Sequence, residues 1–149
     1  GESYRFADID IKAVPGSPVG PTTIENGYIL RADGTSLYYE PHGYHSPVLA
    51  QEAAIDVVIT PLIDLKLPLV GAVIKGQSTA LSLCELLQPQ FILPTAAGGD
   101  IKFEGILVSI LQTEGTVAAF QNALKAKSLV TKAIDPQPWQ PLSLALAHV

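Results

Sequence analysis

The chain has no methionine, one cysteine and few charged side chains, which make up 15% of its 149 residues. The single cysteine, Cys84, excludes an internal disulfide; it lies in an apolar, helix-like stretch where a small core residue is expected. Such cysteine usage suits a reducing compartment, and a cytoplasmic location is the expectation. There is no block of like charge. Nine basic and fourteen acidic residues are interspersed, for a net charge of -5, which argues against a nucleic-acid footprint or an anionic-membrane-binding face. No apolar run reaches the roughly 18 residues of a membrane span, because Pro, Lys, Asp and Gln interrupt each candidate. A charged-then-apolar leader is also lacking. The opening Gly1-Glu2-Ser3-Tyr4 runs straight into strand-like sequence, as expected of a trimmed or excised piece of a longer chain.

Apolar residues, by contrast, are plentiful at 48%. The length suits a single domain over residues 1–149 with its own core. The apolar excess predicts a face that something else covers, a small molecule or another protein rather than nucleic acid or a membrane.

Hydrophobic periodicity sets out a mixed α/β order. From Tyr4 to Val14, Phe6, Ile9, Ile11 and Ala13 mostly alternate with Asp8, Asp10 and Lys12, the pattern of a strand with one wet face. A Pro/Gly-rich connector, Pro15 to Pro21, follows. Gly27–Leu30 and Ser36–Tyr39 flank Asp33-Gly34 and predict a hairpin. Val57-Val58-Ile59 and Phe91-Ile92-Leu93 read as strands buried on both faces. Helices are predicted from Thr79 to Leu87 with Ser78 as N-cap, from Phe103 to Gln112, and from Val117 to Lys127 with Thr116 as N-cap. Val130–Ile134 and Leu142–Leu146 read as closing strands.

Four stretches carry a family resemblance: Glu25-Asn26-Gly27-Tyr28-Ile29-Leu30, Leu37-Tyr38-Tyr39-Glu40-Pro41-His42-Gly43-Tyr44, Asp56-Val57-Val58-Ile59-Thr60-Pro61, and Gln90-Phe91-Ile92-Leu93-Pro94-Thr95. Together they resemble the carboxy-terminal half of metallo-β-lactamase superfamily hydrolases, of the variant type found in photosynthetic organisms. The resemblance implies half of an αββα sandwich, a mixed sheet with helices on one face. It also implies metal ligands that this sequence does not carry. Registered on the family's Gly-Tyr motif, Pro41 stands where a metal-bridging Asp belongs; registered on its Pro-x-His motif, Ala96 stands where a His belongs. The family's His-x-His-x-Asp-His motif has no counterpart here. A degenerate hydrolase-like module, not catalytic alone, is the reading that follows. The alternatives are a fragment of a metal-dependent hydrolase with a rebuilt site, and a binding or scaffolding domain. A half-sandwich would leave one sheet face open, so a homodimer or a missing amino-terminal half is the expected partner.

Glu40, His42, Tyr44, His45, Thr95 and Asp100 make up the candidate pocket. Two imidazoles and a carboxylate are donors that zinc could take, with Asp64 or Asp100 as a fourth, whereas Pro41 and Gly43 turn neighbouring side chains apart. Hydrogen-bonded His and Glu ordering a loop is the favoured reading, with no resident metal or other cofactor. The same groups suit general acid–base work, since His titrates near neutrality. Thr95 to Asp100 could form a small-residue nest for an anion, or a plain turn. Gly76-Gln77-Ser78-Thr79-Ala80 falls one residue short of a nucleophile elbow, with Asp100 or Asp135 and His148 as partners, and a helix cap at Ser78 is preferred. Tyr38, Tyr39 and Tyr44 could line a small-molecule pocket, and Trp139, set among Pro136, Pro138 and Pro141, reads as part of a stiff surface connector.

Overall fold

The computed structural model describes residues 1–19, 22–52, 54–67, 71–95 and 112–147. Its first strands are β1 (Ser3–Phe6), β2 (Ile9–Val19), β3 (Thr23–Ala32) and β4 (Thr35–Tyr39), paired antiparallel in sequence order. The alternating run from Tyr4 is thus two strands, folded back on each other at Ala7-Asp8. The expected connector from Pro15 is strand as far as Val19, with a register shift between Pro15 and Pro18. A bulge at that point tolerates the missing proline N–H groups. The predicted hairpin is present, and both turn residues take the left-handed conformation, Asp33 at φ 49° and Gly34 at φ 72°.

A 3-10 turn, Pro47–Gln51, leads towards β5 (Val57–Ile59), which lies parallel to β4. Next come β6 (Asp64–Leu67), β7 (Gly71–Ile74), helix α1 (Gln77–Leu87) and β8 (Phe91–Leu93). Strand β9 (Gln112–Glu114), helix α2 (Val117–Ala126) and β10 (Lys132–Ala133) follow. The main sheet has seven strands in the order β1-β2-β3-β4-β5-β8-β10, parallel from β4 onwards. A second sheet, β7-β6-β9, is antiparallel.

Both helices cover one face of the main sheet. Val14, Ile29, Tyr38, Val58 and Ile92 project from consecutive strands onto Ala80, Leu83, Cys84 and Leu87 of α1 and Phe120 and Leu124 of α2. The opposite face carries Val57, Phe91 and Leu93, which pack with Leu37, Ile59, Ile134, Leu144 and Leu146. This mixed α/β layer is the fold class expected from the sequence.

Four element expectations need correction. Ser78 is not the cap of α1. Gly76 holds that position, and Asp64 Oδ1 accepts from the N–H groups of Gly76 at 2.6 Å and Gln77 at 3.3 Å. Gln112 belongs to a strand rather than a helix, while residues 103–111 lie outside the described residues. Leu142–Leu146 joins no ladder among the described residues, and the predicted strand at Val130–Ile134 shortens to Lys132–Ala133. Thr116 caps α2 as expected, its side chain accepting from the Ala119 N–H.

Candidate functional site

Glu40 directly follows β4, and its N–H donates to the Ile59 carbonyl at 3.1 Å. It therefore stands at the carboxyl ends of the parallel strands β4, β5 and β8, the edge where open α/β sheets collect ligands. The chain then turns sharply through Pro41, His42 and Gly43, which sits at φ 83°. At Gly43 a Cβ would fall 1.6 Å from the Lys75 carbonyl oxygen, so both the backbone angle and the close approach require glycine.

This turn folds the chain around its own carboxylate. Glu40 is fully buried, and its Oε2 accepts from the N–H groups of His42 at 3.1 Å, Gly43, and Tyr44 at 3.0 Å. Its Oε1 accepts from the Ser17 hydroxyl at 2.5 Å. Successive amide N–H groups converging on one oxygen form an anion nest, and here the anion is a side chain of the same loop. Charge-assisted bonds of this kind are about twice as strong as neutral ones, which compensates the burial of a carboxylate.

The two histidines have separate surroundings. His42 Nδ1 lies 2.6 Å from Glu25 Oε2, a contact near the surface between side chains about two-fifths exposed. His45 packs edge-on against Tyr38, with ring centroids 5.9 Å apart, and its Nδ1 is 3.5 Å from the Tyr38 hydroxyl. His45 Nε2 is buried without a hydrogen-bond partner among the described residues. Burial pushes the His45 imidazole down to about 4, so it is neutral at pH 7. Burial, and then the charge of Glu40, raises the Tyr38 phenol well above its ordinary value. Thr60, directly after β5, is likewise fully buried, with no partner for its hydroxyl among the described residues.

Of the other predicted residues, Tyr44 is exposed with the Lys75 ammonium 4.8 Å from its ring centroid. Thr95 reaches the same loop through a 3.5 Å contact from its Oγ1 to the Pro41 carbonyl. Asp100, Ala96 and His148 lie outside the described residues. Asp64 is spent on the start of α1, and Ser78 is an exposed residue in its first turn. Among the described residues no three His, Cys, Asp or Glu side chains gather as a metal-binding group. Sequence reasoning missed Ser17, Glu25 and Thr60. Ser17 was hidden in what reads as a Pro/Gly connector, and its partner lies 23 residues away.

A cavity of about 920 Å³ opens at the opposite edge of the sheet and contains none of these residues. Its walls include Arg5, Arg31, Ser36, Asp56 and Gln90. Several of these groups are already paired: Arg31 with Glu52 at 3.4 Å, Arg5 with Asp10 at 3.8 Å, and Asp56 with Ser36 and Gln90. The buried polar groups around Glu40 are therefore the stronger candidate site.

A family model described as a beta-lactamase superfamily domain matches residues 1–96. A comparison with curated proteins gives no match. Among solved structures, the chain is similar to a protein of Parabacteroides distasonis assigned as a metal-dependent hydrolase, at 19% identity and a TM-score of 0.56, covering 92% of this chain and 56% of that one. It is also similar to the E377D mutant of CmlA beta-hydroxylase, at 12% identity and a TM-score of 0.61, covering 89% of this chain and 31% of that one. A Thermotoga maritima protein assigned as a Zn-dependent hydrolase of the metallo-beta-lactamase superfamily matches at 16% identity and a TM-score of 0.49, covering 68% of this chain and 48% of that one. The chain thus spans about half the length of the two hydrolase-like structures and less of the third.

Proposed function

This chain belongs to the metallo-β-lactamase superfamily, and we propose that in it the loop after β4 is a self-ligated structural turn rather than a source of metal ligands. The observation that carries this reading is the state of Glu40, whose two oxygens take the Ser17 hydroxyl and three backbone N–H groups. The superfamily name implies a divalent metal, and the donors described here do not fit one. Glu40 is occupied, His42 faces Glu25, and His45 points its ring at Tyr38. On this reading the chain is a degenerate hydrolase-like module that performs no metal-dependent hydrolysis by itself. Zinc titration of the purified chain by calorimetry, with elemental analysis of the same sample, tests it. The expected result is no stoichiometric zinc; zinc bound one to one, and lost when His42 and His45 are both changed to Ala, would overturn it.

A second reading, a fragment of a metal-dependent hydrolase with a rebuilt site, is favoured by one feature. His45 Nε2 and Thr60 Oγ1 are both buried and have no hydrogen-bond partner among the described residues, as groups awaiting a polar partner would be. Restored zinc binding when longer versions of the chain are titrated, and its loss in His45→Ala, would support this reading over the first.

A further inference from the structure

The two faces of the main sheet are covered differently. Helices α1 and α2 pack on one; on the other, the cluster of Val57, Phe91 and Leu93 is covered by Ile134, Leu144 and Leu146. Leu144 and Leu146 are half-buried while Ser143, Ala145 and Ala147 are exposed. Leu142 is exposed, and from Ser143 to Ala147 exposed residues alternate with the two half-buried leucines. The segment belongs to no ladder among the described residues, and the Gln90 side chain holds its end. Gln90 Nε2 donates to the Ala147 carbonyl at 3.0 Å, and the Ala147 N–H donates to Gln90 Oε1 at 2.7 Å. An amide side chain reading both backbone groups of one residue, next to sites for alternate apolar side chains, is how an extended peptide is recognised.

The tether of this segment is strained and stiff. Residues 135–141 contain Pro136, Pro138 and Pro141, and they turn at Trp139, which is fully exposed at φ 64°. A non-glycine residue in that conformation, with its side chain in water, stores strain that opening the turn releases. Prolines hold the opened connector extended, so little additional entropy is lost when it reaches outwards.

We propose that Leu142–Ala147 is an exchangeable strap, and that two copies of this chain associate by docking each other's straps against Gln90 and the Val57, Phe91 and Leu93 cluster. Every contact made within one copy is remade between copies, while the Trp139 turn relaxes. The partner is thus a second copy, recognised through a segment with leucines two residues apart.

Two variants of this chain of different mass, Gln88→Cys, at an exposed residue that lines the same cavity as Ala147 and leaves Gln90 in place, and Ala147→Cys, are mixed at high concentration, equilibrated and treated with a bis-maleimide. Cys84 does not compete, because it is buried and burial pushes its thiol up to about 12. The proposal predicts an 88-to-147 heterodimer in several-fold excess over the 88-to-88 and 147-to-147 products. A heterodimer yield no greater than those two controls would overturn it. Should either variant fail to fold, isotope-filtered NMR on a mixture of labelled and unlabelled wild-type chains keeps the question open to decision. Contacts from the Leu144 or Leu146 methyls of one copy to the Phe91 ring of another are expected, and contacts confined to one copy would overturn the proposal.

Discussion

Ser17 donates its hydroxyl to Glu40 Oε1 at 2.5 Å, tying the far end of β2 to the end of β4. Both residues are buried, so neither can exchange this bond for one to water without moving the loop. Ser17→Ala removes the donor and leaves a carboxylate oxygen desolvated. The expected cost is about 1–3 kcal/mol of folding stability, read by urea unfolding. A variant as stable as the wild type would show that Oε1 finds another partner and that the tie is incidental.

Gly43 and Gly34 both have positive φ, but their surroundings differ. At Gly43 a Cβ meets the Lys75 carbonyl at 1.6 Å, and at Gly34 nothing lies within 4 Å. Gly34→Ala should cost only the backbone strain of about 1–2 kcal/mol. Gly43→Ala adds a backbone collision and should cost clearly more, with a correspondingly larger drop in melting temperature. Equal drops would mean that the loop can move off α1 freely.

His45 gives the pH dependence of stability a definite sign. Its folded-state value, lowered by burial to about 4, lies below the 6.5 of the unfolded chain, so the unfolded state binds the proton more readily. Its contribution is fully present above pH 6.5 and is lost as the pH falls from there to about 4, at no more than about 1.4 kcal/mol per pH unit. Glu52, held down chiefly by its bond from Lys12, loses its contribution at lower pH, below the ordinary carboxylate range. Urea midpoints measured from pH 7.5 to 4 should therefore fall in the wild type and flatten between pH 6.5 and 5 in His45→Phe. An unchanged profile in the variant would assign the acid limb to other groups.

Much of the main sheet was legible because its signals are local. Asp33-Gly34 marks its own hairpin, and Val57–Ile59 and Phe91–Leu93 are short apolar runs that only a covered strand explains. Thr116 bonds the amide three residues on, a relation visible at the sequence level. The second sheet was missed because its pairing is distant: Asp64 of β6 lies opposite Glu114 of β9, the alternation of Asp64–Leu67 is only four residues long, and Gln112–Glu114 has no apolar residue. The start of α1 was misassigned for the same reason, since its acceptor, Asp64, lies twelve residues before the first amide it caps. Leu142–Leu146 has the alternation of a strand but pairs with no strand among the described residues, so pattern and ladder part company there. That Glu40, His42 and His45 share one loop was visible. The donors were not, because three of them are backbone N–H groups and the fourth lies in a different strand.

The central claim, that the Glu40 carboxylate organises its loop and does not bind metal, is tested most directly by urea unfolding of wild type and Glu40→Gln, each in EDTA and in excess zinc. A glutamine amide must set an N–H2 or a weaker acceptor against the groups now bonded to Glu40, at a cost of about 2–4 kcal/mol. The account predicts that this loss is the same in EDTA and in zinc, and that zinc leaves the wild-type midpoint where it was. A ligand that binds the folded state raises its stability. A wild-type midpoint raised by zinc, with the gain abolished in Glu40→Gln, would contradict the account.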